Sequence, residues 1–138
     1  MLFRSAITRA DGRLASLLAA WPSTIPLAVE LQHPSWQVDE TFTALREHGA
    51  ALVATDLPEA EEAPTLRLTG RFLYLRLRRP DYGPAELTAW ASRVAPFLSA
   101  GTDVFVFFRH DELGRGAELA QAFAATTASL VAVEGGPR

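Results

Sequence analysis

Short β-rich runs alternate along this chain with segments of helical period. No other feature constrains the fold as much, because this is the pattern of βα units laid around a parallel sheet. The runs are Leu27-Ala-Val-Glu-Leu-Gln, Ala51-Leu-Val-Ala-Thr, Phe72-Leu-Tyr-Leu-Arg-Leu-Arg and Asp103-Val-Phe-Val-Phe-Phe-Arg, with Met1-Leu-Phe as the stump of a further one. The expected class is α/β, with parallel βα units forming part of a TIM-like barrel and a small doubly wound sheet as the alternative. At 138 residues, 49% of them hydrophobic, the chain is expected to be one domain with a real core.

The helices between the runs have nameable start and stop chemistry. Asp11 is expected to cap a helix that buries Leu14, Leu17, Leu18 and Trp21 and that Pro22 ends. Asp39 is expected to cap a second that buries Phe42 and Leu45 and closes at Gly49, with His48 in its last turn. Pro84 opens a third carrying Leu87, Trp90, Val94 and Phe97, and Pro96 is expected to kink or shorten its end. A fourth, near residues 116–125, offers Leu119 and Phe123. Leu57 to Pro64 reads as an acidic linker leading into Thr65-Leu-Arg-Leu, a candidate minor strand.

The period of two assigns faces within the strands. Leu73, Leu75 and Leu77 point to one side of the third run; Phe72, Tyr74, Arg76 and Arg78 point to the other. The leucines belong under the helices, so the polar series faces the barrel interior, where an arginine is costly unless an acid pairs with it. Glu30 is the expected partner of Arg76, either as a structural ion pair or as part of a site.

Chemistry in parallel α/β folds gathers at the carboxyl ends of the strands. That rule selects His33 and Ser35; Asp56; Arg78, Arg79 and Tyr82; and Arg109, His110 and Asp111. Glu30, Asp56 and His33 are the catalytic candidates for acid and base work. Arg76, Arg78, Tyr74, Trp36, Arg109 and His110 are the candidates for binding an anion or sugar, because guanidinium forks hold carboxylate or phosphate. The glycines of His110-Asp-Glu-Leu-Gly-Arg-Gly116 precede a helix start whose amides favour an anion. Trp36 is either a stacking surface for a sugar or base or an anchor on the barrel rim. Three dispersed histidines argue against a metal site, and no motif calls for a cofactor.

A formal net charge of −3 excludes a general attraction to nucleic acid or anionic lipid. All 13 basic residues are arginine, which reads as a compositional bias and lowers the weight of any one of them. Arg67, Arg71, Arg76, Arg78 and Arg79 nevertheless motivate nucleic-acid binding as a second functional reading, with Trp36 and Tyr82 as stacking groups. With no cysteine, no apolar core in Met1-Leu-Phe-Arg-Ser and no apolar run near the roughly 20 residues of a membrane span, the expectation is a cytoplasmic protein without a membrane partner.

Val29-Glu-Leu-Gln-His-Pro-Ser-Trp36 resembles the Glu-Phe-Arg-His-Pro-Ser-Trp signature of domain-of-unknown-function family 72, the YecE-like proteins. Tyr74-Leu-Arg-Leu77 and Val104-Phe-Val-Phe-Phe-Arg-His-Asp resemble two later blocks of that family in the same order. The resemblance implies a TIM-like barrel of which this chain is the carboxyl-terminal half, the amino-terminal half being absent, and it points to Glu30, His33, Ser35, Trp36, Tyr74 and Arg76. Gln32 stands where the family has arginine, Arg78-Arg79 where it has His-Gly, and Arg109 and His110 where it has asparagines. The family has no established reaction; its barrel is distantly similar to those of sugar isomerases and abasic-site endonucleases. A half barrel exposes two sheet edges and an apolar interior. The expected partners are therefore a small-molecule anion or sugar, nucleic acid as the alternative, and a second copy or the missing half; an inactive truncated fragment is the third reading.

Overall fold

The computed structural model describes residues 2–3 and 7–134. Its elements are β1 (Leu2–Phe3), α1 (Asp11–Ala20), β2 (Ala28–Leu31), a 3-10 turn (Pro34–Trp36), α2 (Asp39–Glu47), β3 (Ala51–Asp56), β4 (Phe72–Leu77), α3 (Pro84–Ser99), β5 (Asp103–Phe108) and α4 (Arg115–Glu134). All strand pairings are parallel, in the order β1-β2-β3-β4-β5. The expected early strand at Met1-Leu-Phe is present as β1, with Met1 outside the described residues.

Strand phase places every helix on one face of the sheet. Val29 and Leu31, Leu52, and Leu73, Leu75 and Leu77 are buried on the same side. There α1 and α2 pack over β2 and β3 through Leu14, Leu18, Phe42 and Leu45, and α3 and α4 pack over β4 and β5 through Leu87, Trp90, Val94, Leu119 and Phe123. A doubly wound sheet reverses its strand order and carries helices on both faces. The sequential order and one-sided helices set that alternative aside. The opposite, concave face is open.

Helix ends depart from expectation by one residue. Asp11 and Asp39 are the first helical residues, behind Ala10 and Val38, and neither caps a backbone amide. Asp11 instead accepts two 2.7 Å hydrogen bonds from Arg9. Gly49 closes α2 with φ +63°, and Pro84 opens α3. The α3 helix is not shortened at Pro96, since it continues to Ser99. The α4 helix is longer than expected, and Arg115–Val133, with mean hydropathy 1.2, has the length and composition of a membrane span, against the expectation of none. Its Leu119 and Phe123 are nevertheless buried in the core against the sheet and α3.

The β3–β4 crossover carries neither a helix nor the expected minor strand at Thr65-Leu-Arg-Leu. Side chains hold this segment in place of a backbone ladder. Leu66 packs into the core, Arg67 lies 4.3 Å above the Phe42 ring, and buried Thr69 donates to Ala50 O (2.7 Å) and accepts from Leu52 N (3.0 Å). Gly70 follows because a Cβ there would meet Gly49 O at 2.7 Å. Thr69→Val strands both backbone groups, so urea unfolding should show a loss of about 2–3 kcal/mol, whereas Thr69→Ser should cost under about 1 kcal/mol by the same reasoning.

Candidate functional site

The concave face is built by alternate residues of neighbouring strands. Register sets Val53 beside Tyr74 beside Phe105, and Thr55 beside Arg76 beside Phe107. Glu30 reaches the second of these layers from β2. Its Oε2 accepts Arg76 Nη1 at 2.5 Å, and its Oε1 accepts Thr55 Oγ1 at 2.5 Å and Gln32 Nε2 at 3.0 Å. The expected pairing of Glu30 with Arg76 is therefore present. Glu30 is 4% exposed, while the Arg76 side chain keeps 28% of its surface.

Burial pushes the Glu30 carboxyl up, but Thr55, Gln32 and Arg76 together outweigh it and hold the group below its ordinary 4.5. Such a carboxylate stays ionised and is a weak proton acceptor. Aromatic rings surround the pair: Tyr74 stacks on Phe107 at 4.9 Å, and Phe72 meets Phe105 edge to face at 5.5 Å. Glu30, Arg76, Tyr74, Phe105 and Phe107 line a concavity of about 1050 Å³ that runs down to the amino-terminal ends of the strands, where Leu27, Gly49, Arg71 and Asp103 line it.

Asp56 does not join this group. Its register partner is Leu77, which is buried under the helices, so Asp56 faces the helix side of the sheet. There it is 2% exposed and accepts Tyr82 Oη (2.8 Å) and Arg79 Nε (3.0 Å) on Oδ2, while Oδ1 has no partner. Burial, with the Asp56 charge adding to it, pushes the Tyr82 hydroxyl well above its ordinary value. This cluster lines a separate cavity of about 240 Å³ with Trp90 and Arg93. Strand parity thus separates the two candidate carboxylates, Glu30 on the concave side and Asp56 on the helix side.

The turn after β2 works as a brace. Trp36 is 0% exposed and donates from Nε1 to Ile7 O at 3.0 Å, which removes it as a stacking surface. Ser35 Oγ accepts Arg9 N at 2.7 Å and lies 2.9 Å from His33 Nδ1, which accepts Ser35 N at 3.2 Å. His33 is thereby occupied in capping the turn.

The expected anion site before α4 is filled by the chain itself. Asp111 accepts the amides of Leu113, Arg115 and Gly116, the last at 2.7 Å, and these contacts hold its carboxyl below the ordinary range. Arg109 and His110 stand exposed beside it, and Arg78 is half-buried. His48 ends α2 as expected, with Nδ1 3.0 Å from Ala44 O.

The arginine series also divides. Arg76 and Arg79 are paired with acids, and Arg67 lies on Phe42. Arg71 and Arg78 lie beyond opposite ends of β4, and Tyr82 is buried. These five arginines, with Trp36 and Tyr82 buried, therefore form no single continuous track.

Sequence reasoning missed Thr55, Phe105 and Phe107 as members of the interior layers. The alternation in Val104-Phe-Val-Phe107 was the available signal, since it puts both phenylalanines on one face.

A family model described as "Protein of unknown function DUF72" matches residues 3–135. Among solved structures, a DUF72 family protein from Thermotoga maritima MSB8 is similar with TM-score 0.76 and 25% identity, over 92% of this chain and 56% of that one. One from Enterococcus faecalis V583 is similar with TM-score 0.77 and 21% identity, over 92% of this chain and 59% of that one. The chain therefore spans less than two thirds of the length of these solved relatives. Comparison with curated proteins returns no match.

Proposed function

The chain belongs to the DUF72 family, whose function is unknown, and from the layer formed by Glu30, Arg76 and Phe107 we propose that its concave face binds a sugar or sugar phosphate in the concavity that this layer bounds. One observation carries the reading: a charged, hydrogen-bonding edge and a stacked Tyr74–Phe107 pair line the same concavity. A pyranose or furanose ring has the matching anatomy, with hydroxyls around its rim and C–H groups on its faces. Arg76 retains donors beyond the one given to Glu30, and these serve hydroxyl or phosphate oxygens.

Glu30, held ionised and already accepting three hydrogen bonds, orients Arg76 and accepts from a ligand hydroxyl. That supports binding more than proton transfer. Isothermal titration with hexoses, pentoses and their phosphates is the test. Millimolar or tighter binding of one class is expected. Phe107→Ala should weaken it roughly tenfold, corresponding to loss of an aromatic platform of about 1.4 kcal/mol. Absence of binding by every sugar and sugar phosphate at millimolar concentration overturns the reading.

A further inference from the structure

We propose that the cavity of about 240 Å³ on the helix side of the sheet is a second ligand site, built for a small carboxylic acid with a hydroxyl beside its carboxylate. Its origin lies in the crossover. The β1–β2, β2–β3 and β4–β5 connections each carry a helix, whereas the β3–β4 connection carries none. An extended segment is thinner than a helix, which with its side chains occupies about 10 Å. Space is therefore left between residues 57–64 and the face of α3 that bears Glu86, Ala89, Trp90 and Arg93. Two guanidinium groups hold the segment there: Arg79 donates from Nη2 to Ala60 O at 3.1 Å, and Arg93 donates from Nη2 to Pro64 O.

The polar groups lining the cavity are incompletely matched. Arg79 balances the charge of buried Asp56, and Tyr82 donates to the same oxygen, Oδ2. Asp56 Oδ1 is buried without a donor, a condition that costs free energy until a donor arrives. Arg93 lies 4.3 Å above the Trp90 ring and, among the described residues, makes no salt bridge. Beyond the bond to Pro64 O, its guanidinium keeps donors to spare. Burial pulls Arg93 below the ordinary arginine range, opposed by the Asp56 charge. Glu86 is exposed at the rim and spends Oε2 on the Gly83 amide. The cavity thus holds a cation in surplus over its buried acid, and an acceptor short of a donor. A carboxylate meets the Arg93 fork, and an adjacent hydroxyl supplies Asp56. A hydroxyl suits better than an ammonium because Arg79 already neutralises Asp56. The volume falls below the roughly 300–1,000 Å³ of sites for drug-sized ligands, so the acid is small.

This site lies across the sheet from Glu30 and Arg76 and stands independently of the sugar reading. Isothermal titration with lactate, glycerate, propionate, alanine and inorganic phosphate, with the indole N–H resonances followed by NMR, provides the test. Lactate or glycerate is expected to bind at millimolar or lower concentration and to shift the Trp90 indole signal. Propionate, which lacks the hydroxyl, should bind roughly tenfold more weakly, and alanine and phosphate no more tightly than propionate. Arg93→Met, which keeps an apolar stem over Trp90, should weaken the hydroxy acid roughly tenfold or more while the far-ultraviolet circular dichroism is kept. In Asp56→Asn the oxygen stays with Tyr82 and Arg79, so an amide N–H replaces Oδ1, and the preference for the hydroxy acid over propionate should fall. Should that variant not fold, Arg93→Met and the ligand ratios still decide. Absence of saturable binding by both hydroxy acids overturns the proposal, as does propionate, alanine or phosphate binding as tightly as they do. So does undiminished binding by Arg93→Met, or shifts confined to the amides of Tyr74 and Phe107 on the concave face.

Discussion

Replacing Trp36 by alanine is expected to lower the unfolding free energy by about 3–5 kcal/mol, a large part of the roughly 5–15 kcal/mol that holds an ordinary domain together. The ring is fully buried in the α1–α2 half of the core. Its indole N–H, through Ile7 O, ties the segment before α1 to the turn after β2. Removal leaves a cavity and an unpaired carbonyl together. Urea unfolding should show the full loss for Trp36→Ala. Trp36→Phe, which keeps most of the volume and loses the hydrogen bond, should lose about 1–2 kcal/mol. Equal losses for the two variants would contradict a packing role.

Arg76→Ala is expected to cost more than Glu30→Gln, about 2–3 kcal/mol against about 1 kcal/mol. The asymmetry follows from exposure. Without Arg76, a buried carboxylate keeps only Thr55 and Gln32; without the Glu30 charge, the partly exposed guanidinium turns to water. The lowered Glu30 value also fixes a pH dependence. A carboxyl held below its unfolded value of 4.5 stabilises the fold above that pH, and the contribution is lost as pH falls through the folded value. Denaturation series between pH 6 and pH 3 should show this acid-side loss in the wild type and a smaller one in Glu30→Gln. Identical slopes would remove Glu30 from the linkage.

The interior pair was legible because alternation in Phe72 to Arg78 is unbroken and a buried arginine demands an acid; Glu30 was the acid of matching phase. Gly49 and Pro84 were legible for their own backbone reasons. Asp56 does lie at a strand end, but its facing is not given by height along the strand, since consecutive residues there face opposite sides. Trp36 lies in a turn, where no period distinguishes an anchor from an exposed ring. The amides before α4, expected to favour an external anion, are taken by Asp111, whose short side chain is itself the anion. The crossover after β3 was opaque because Thr69 and Arg67 replace a ladder with side-chain contacts that leave no repeating pattern.

The parity of β3 reaches into chemistry. Reactions in which one carboxyl gives a proton while another takes one need both groups in a single chamber, within a few ångströms of the same bond. Glu30 and Asp56 are walled off from each other by the thickness of the sheet, so no substrate bound on either side addresses both. Two-proton chemistry on the concave side would therefore have to pair Glu30 with a group other than Asp56, and Asp56 with its Tyr82 and Arg79 contacts belongs to the helix-side cavity alone.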